Sequence, residues 1–114
     1  MTNDVNFARF NECIKRLIEE GIVKPNLGVA KPPLSVVIMD MNKHAMRHGV
    51  TKEEAQGYIN NAIVMFDQID RALYVSSEGN AAVLNKELRV ISAYGKENFD
   101  YSMKKILEVI YDDE

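Results

Sequence analysis

The chain has 114 residues, enough for one domain with a single hydrophobic core and no need of disulfide or metal staples. An apolar share of 46% and a charged share of 27% are those of an ordinary globular protein, and no run approaches the roughly 18 apolar residues of a membrane span. The net charge of −3 argues against a bulk nucleic-acid binder, which is normally basic.

The charge is unevenly spread. Residues 96–114 set Lys96, Lys104 and Lys105 against Glu97, Asp100, Glu108, Asp112, Asp113 and Glu114, which accounts for the whole excess. Residues 31–60 lean positive, so a compact site that grips one or two phosphates stays open. The start, Met-Thr-Asn-Asp-Val-Asn-Phe, lacks the basic and then apolar run of a secretory signal. A lone cysteine, Cys13, can neither close an internal disulfide nor complete a four-cysteine zinc site. These features point to a reducing cytoplasm.

In chain order, Phe7, Phe10, Ile14 and Leu17 recur at helical spacing and predict a first helix over 4–20. Asn3 or Asp4 caps it and Gly21 stops it, so residues 1–22 form an N-terminal helical unit. Its stripe packs either on the domain's own sheet or on a second copy, a homodimer through residues 4–20. Cys13 lies beside that stripe as half-buried filler. Residues 23–34 hold all three prolines and no period, which reads as a connector.

Residues 35–114 then form the main body of one domain spanning 1–114. Leu34–Met39 is β-branched and apolar and reads as a strand or an extended entry. Asp40 is placed to cap a short helix to His48, ended by Gly49. Thr51 with Glu54 is a capping box opening a helix over 52–66, with Ala55, Tyr58, Ile59, Ala62, Ile63 and Phe66 as its buried stripe. Gly57 inside that helix suggests a close approach of helix to sheet. From Asp70 the period falls to two: Arg71–Ser76, Ala81–Leu84 and Leu88–Tyr94 read as strands joined by tight turns. Asp100 caps a last helix over 101–111, with Met103, Ile106, Leu107 and Ile110 as its stripe. The fold class is α+β: N-terminal helices, a small antiparallel β-meander and a closing C-terminal helix.

The chemistry-bearing stretch is Asp40–Gln56, which holds both histidines, His44 and His48. On a helix, four residues apart puts the two rings on one face, together with Met41 and Ala45, while Asp40, Lys43 and Arg47 fall opposite. Three readings follow: packed core histidines, a site histidine at the sheet edge, or a metal pair. The last is the weakest, because no His-Glu-x-x-His, Cys-x-x-Cys or third histidine supplies further ligands, and no metal or other cofactor is expected. No glycine-rich phosphate loop and no Gly-x-Ser-x-Gly elbow is present.

A site histidine needs partners. Strict alternation puts Leu88, Val90, Ser92 and Tyr94 on one face of their strand, and Ser76 ends another, so Ser76, Ser92 and Tyr94 can form a hydroxyl cluster. A histidine to move protons, hydroxyls to donate hydrogen bonds and an arginine to neutralise phosphate are what metal-free RNA cleavage requires, since the ribose 2′-OH is the nucleophile.

The runs Lys43-His44-Ala45-Met46-Arg47-His48-Gly49-Val50-Thr51, Ile59–Phe66, Tyr74–Leu84, Val90–Tyr94 and Asn98-Phe99-Asp100 carry a resemblance. Over roughly residues 36–110 the chain resembles the small nuclease-like domains of the barnase–EndoU–colicin–RelE type, found at the C-termini of phage minor head proteins and in polymorphic toxins. The resemblance implies a helix-plus-sheet fold and a phage- or prophage-encoded ribonuclease-like domain, cytoplasmic in the host cell or virion-associated. It implies His48 or His44 as general base or acid, Arg71 or Arg47 as phosphate clamp, and Ser76, Ser92 and Tyr94 as hydrogen-bond donors, with RNA as substrate. Two alternatives stand beside it. One is a non-catalytic interaction module that binds a host or virion protein. The other is an antitoxin or immunity-type protein, which the acidic balance suits.

Overall fold

Period-two segments from residue 62 onward pair into consecutive hairpins, and the helices on either side bury their stripes against the resulting sheet. The computed structural model describes residues 7–25, 28–33, 35–76 and 78–112, without the side chains of residues 7, 44–46, 111 and 112. The elements run α1 (Phe7–Glu19), β1 (Gly28–Ala30), β2 (Asp40–Met41), a 3-10 helix (Lys43–His48), α2 (Lys52–Asn60), β3 (Ala62–Asp67), β4 (Arg71–Ser76), β5 (Asn80–Asn85), β6 (Arg89–Gly95), a 3-10 turn (Lys96–Asn98) and α3 (Tyr101–Asp112). The strands make one sheet in the order β1-β3-β4-β5-β6-β2. Every pairing is antiparallel except that of β2 with β6. The fold is α+β, with a helix at each end of the sheet-forming run.

Each sheet face carries its own core. On one face, Phe10 and Ile14 of α1 and Met103, Ile106, Leu107 and Ile110 of α3 pack on Val64, Phe66, Val75 and Ala81. The rings of Phe10 and Phe66 lie 6.0 Å apart, tilted to one another. On the other face, Ala55 and Ile59 of α2 pack with Tyr74, Ala82, Leu84, Val90 and Ala93. Phe10 and Ile14 of the α1 stripe are 0% and 2% exposed, packed in the protein's own core rather than open to a second copy.

Several local expectations are corrected. The helix expected over 52–66 ends at Asn60, and Ala62–Asp67 is a strand. A 3.6 period and a buried β-branched run look alike over a few residues, and the ladder to β4 decides for strand. Asp40 does not cap a helix: Asp40–Met41 is the short parallel strand, its carboxylate accepts the Met41 N–H, and the following turn is 3-10 rather than α. Of the two readings of the preceding run, strand or extended entry, residues 36–39 take the second: they lead into β2 without regular pairing, and the Met39 N–H donates to the Leu88 carbonyl. In the proline-bearing connector Gly28–Ala30 pairs with β3 as an edge strand. Gly57 meets nothing within 4 Å at the place of a Cβ, so no close approach demands it.

The 36–38 segment is held by a side chain. The Ile38 N–H donates to Gln56 Oε1 at 3.0 Å, and Gln56 Nε2 donates to the Val36 carbonyl at 2.7 Å. The amide thus plays the part of a neighbouring strand and satisfies backbone groups that would otherwise offer themselves at a sheet edge. Thr51 and Glu54 form the expected capping box and fix the start of the helix that carries Gln56. Replacing Gln56 by Ala is expected to lower unfolding stability by about 1–2 kcal/mol, the loss from two part-buried backbone groups left unpaired. Urea denaturation measures it, and an unchanged midpoint would mean the amide does not hold the segment.

Candidate functional site

A cleft of about 720 Å3 opens on the α1–α3 side of the sheet, where the two helices leave part of it uncovered. Its floor is Leu73 of β4, Val83 of β5 and Ile91 of β6; Lys24, Asn42, Gln68, Arg71, Ser92 and Tyr94 stand around it. Lys24 is delivered by the end of α1. Gly21 adopts φ +75°, the left-handed conformation that only glycine takes freely, and the Ile22 N–H returns to the Leu17 carbonyl at 2.9 Å. The chain then reverses, buries Val23 and brings Lys24 to the cleft.

Ser92 and Tyr94 reach the cleft because β6 carries a bulge. Ala93 pairs with Ala82 and Ser92 with Val83, yet Leu84 pairs with Val90, so Ile91 is an extra residue. Strict alternation would set Val90, Ser92 and Tyr94 on one face. The bulge instead sends Val90 into the α2-side core with Ala93, and leaves Ile91, Ser92 and Tyr94 on the cleft side. The expected pairing of Ser92 with Tyr94 stands, and that with Val90 is corrected.

Ser76 is not part of this cleft. It alternates with Val75, so it shares the side of Tyr74 and Ala62, on the α2 face. It is 1% exposed and its Oγ accepts the Asn80 N–H at 3.2 Å. Its hydroxyl closes the turn between β4 and β5, where Gly79 adopts φ +89°. The three-hydroxyl cluster therefore reduces to two.

The histidine is the larger correction. His48 is half-buried and does not line the cleft. Its ring packs edge-on against Tyr94, with centroids 5.9 Å apart, and Tyr94 packs edge-on against Phe99 at 5.6 Å. The contact of His48 with the cleft wall is thus made through Tyr94. Arg47 Nε donates to His48 Nε2 at 3.2 Å, which sets that nitrogen as the acceptor and ties Arg47 to the histidine rather than to a phosphate position. The side chain of His44 lies outside the described residues, and the α-helical spacing on which a shared face rested is replaced by the 3-10 turn. Among the described residues no three His, Cys, Asp or Glu side chains cluster to hold a metal ion.

Arg71 does line the cleft, but its guanidinium is engaged. Nε and one terminal nitrogen donate to the two oxygens of Asp70, at 3.0 and 2.9 Å. This hydrogen bonding, and then the guanidinium charge, holds the Asp70 carboxyl below the usual range. Lys24 has Asp100 within its field. Of the two cleft cations, Arg71 is thus paired with an acid, while Lys24 acts on the Asp100 carboxyl only as a minor influence behind that carboxyl's own hydrogen bonds. Burial, with a smaller contribution from Asp100, pushes the Tyr94 phenol upward, so it stays a protonated donor at neutral pH.

A second hollow of about 360 Å3 adjoins the first. Lys24, Gln68, Leu73 and Tyr94 belong to both. It runs beneath the end of α1 and the start of α3, past Ile22, Val23, Phe66, Met103 and Ile106, with Asp100 and Ser102 at its mouth.

Compared with known proteins, the chain matches no family model, no curated protein and no solved structure.

Lys24, Asn42 and Gln68 were not singled out by sequence reasoning. Lys24 and Asn42 flank elements whose strand character is set by partners, and Gln68 sits in a hairpin where a helix end was expected. The one available signal was Asn60-Asn61, a turn-prone pair just before an apolar run with Ile63 and Val64.

Asp100 opens α3 and so shapes the mouth of the inner hollow. Its carboxylate accepts the Met103 N–H at 2.9 Å and the Ser102 hydroxyl at 2.8 Å, and these two bonds, in that order, lower its pKa. A carboxyl whose folded pKa lies below its unfolded value contributes stability that is complete above the unfolded pKa, near 4. That contribution is lost as pH falls through the lower folded value. Asp100→Ala is expected to cost about 1 kcal/mol at neutral pH. Asp100→Asn should cost less and flatten the acid limb below about pH 4. Urea denaturation across pH measures both, and an acid limb unchanged in Asp100→Asn would sink this account.

Proposed function

We propose that this protein is a non-catalytic binding module whose working surface is the cleft, and whose partner is a protein segment without strong net charge. The observation that carries this reading is the composition of the wall. Two side-chain amides, a serine hydroxyl and a protonated phenol surround an aliphatic floor, and the Arg71 guanidinium is spent on Asp70. Such a surface matches a peptide, which brings its own donors and acceptors and some apolar area. It does not match a polyanion, whose affinity rests on uncompensated Lys and Arg.

Metal-free RNA cleavage is the second reading. It is supported by the resemblance to phage and toxin nuclease-like domains and by one contact, the packing of His48 on Tyr94. It requires the His48 ring to leave Tyr94 and enter the cleft beside Ser92, because a general base acts within hydrogen-bond reach of the proton it takes.

Two measurements separate these readings. Total RNA incubated with the protein is expected to stay intact, equally with His48→Ala. Degradation by the wild type that His48→Ala abolishes would establish the nuclease instead. Peptides selected from a random display library are expected to weaken about tenfold or more on Arg71→Glu or Ser92→Arg, as central contacts do. Their affinity should change little between about 50 and 200 mM salt, where phosphate-driven binding collapses. Selected peptides indifferent to both substitutions would overturn the assignment of the cleft.

A further inference from the structure

The uncovered part of the sheet is closed at β3. A single row of paired residues shows where: Phe66 of β3 lies opposite Leu73 of β4, Leu73 opposite Val83 of β5, and Val83 opposite Ser92 of β6. Leu73, Val83 and Ser92 are half-buried and line the cleft. Phe66, on the same face, is 2% exposed, with its ring 6.0 Å from that of Phe10 of α1. An extended chain laid along this row over β6, β5 and β4 is therefore stopped at β3 by α1. The open row is about 10 Å long, the span of about three extended residues.

Where such a chain stops, donors are unspent. Lys24, Gln68 and Tyr94 line both the cleft and the hollow beneath the end of α1, which places them on the α1 side of the cleft. Among the described residues, the Lys24 ammonium, the Gln68 side-chain amide and the Tyr94 hydroxyl are in no hydrogen bond or ion pair. Arg71, by contrast, is taken by Asp70. Among the described residues no Asp or Glu lines the cleft. Asp100, whose field reaches Lys24 and Tyr94, lines the hollow instead, and its carboxylate is held by the Met103 N–H and the Ser102 hydroxyl. That charge weakens the pull of Lys24 on an anion without cancelling it, because the ammonium keeps all three of its donors.

From this we infer that the α1 side of the cleft is a subsite for the C-terminal carboxylate of the bound peptide, held by Lys24 with Gln68 and Tyr94 as further donors. The inference rests on the peptide-binding reading of the cleft and adds which end of the partner is recognised. A terminal carboxylate meets both observations: a chain blocked at β3 ends there, and an ionised carboxylate, which only accepts, needs donors alone. One such ion pair leaves the affinity far less sensitive to salt than the many contacts of a polyanion.

The test uses the full chain, amide-resolved NMR titration and the probe N-acetyl-Val-Ala-Val, as the free acid and as the C-terminal amide. Both forms are expected to shift the backbone amides of Leu73, Val83 and Ser92, and the acid to bind about tenfold more tightly, as loss of a charged hydrogen-bonding partner predicts. Lys24→Gln, at an exposed position, should bring the acid down to the level of the amide and leave the amide unchanged, whereas Lys24→Arg should keep most of the preference. If acid and amide bind alike to the wild type, or the preference survives in Lys24→Gln, the carboxylate subsite is wrong and the peptide cleft stands. If neither form moves the floor amides, the cleft reading falls and the subsite with it. The C-terminal amide of N-acetyl-Val-Ala-Asp binding as tightly as the free acid of N-acetyl-Val-Ala-Val would make the recognised group an acidic side chain and overturn the chain end.

Discussion

One extra residue in β6 governs what this sheet presents. Without Ile91 as a bulge, Val90 and Ser92 would point the same way, and either the α2-side core would lose Val90 or the cleft would lose Ser92. With it, an apolar residue enters a dry core and a hydroxyl turns to an open hollow within three positions. A similar irregularity at the start of β3 lets Ala62 face α2 while Ile63 and Val64 face α1 and α3. The sheet serves two cores by alternation along β4 and β5, and the irregularities in β3 and β6 reset which residues face each core.

Tyr94 packs against the α1–α3-side core and reaches the cleft. It is anchored edge-on by Phe99, carries His48 on its other contact and forms the wall shared by the two hollows. The same packing that excludes the imidazole from the cleft keeps the phenol protonated and oriented. Chemistry and binding therefore compete for one ring. An enzyme would need that ring to yield to His48, whereas a binding module needs it fixed, and its burial beside Phe99 favours the fixed state.

Charge follows the same logic. The net −3 reflects the C-terminal segment, and in the cleft the Arg71 guanidinium is held by Asp70. Arg71 with Asp70 is exposed, so the pair contributes little to stability. Its effect is to spend the guanidinium's directional donors on a neighbour in sequence, which leaves shape and hydrogen bonding to select a ligand.

By itself the sequence determined the α+β class, the amphipathic α1 and α3, the capping box of α2, and three strands within a residue or two, because periodicity and caps are local properties of the chain. Arg71, Ser92 and Tyr94, singled out in the sequence by residue type and alternation, come to line one cleft from β4 and β6, which β5 separates. Only the tertiary structure decided that Ala62–Asp67 is a strand, that Gly28–Ala30 and Asp40–Met41 join the sheet, and that Ser76 closes a turn. Each of these depends on a hydrogen-bonded partner distant in sequence, and a bulge or a short edge strand leaves no periodic trace. For the same reason His48, conspicuous in the sequence, ended behind Tyr94, while Lys24, Asn42 and Gln68, silent in the sequence, came to line the cleft.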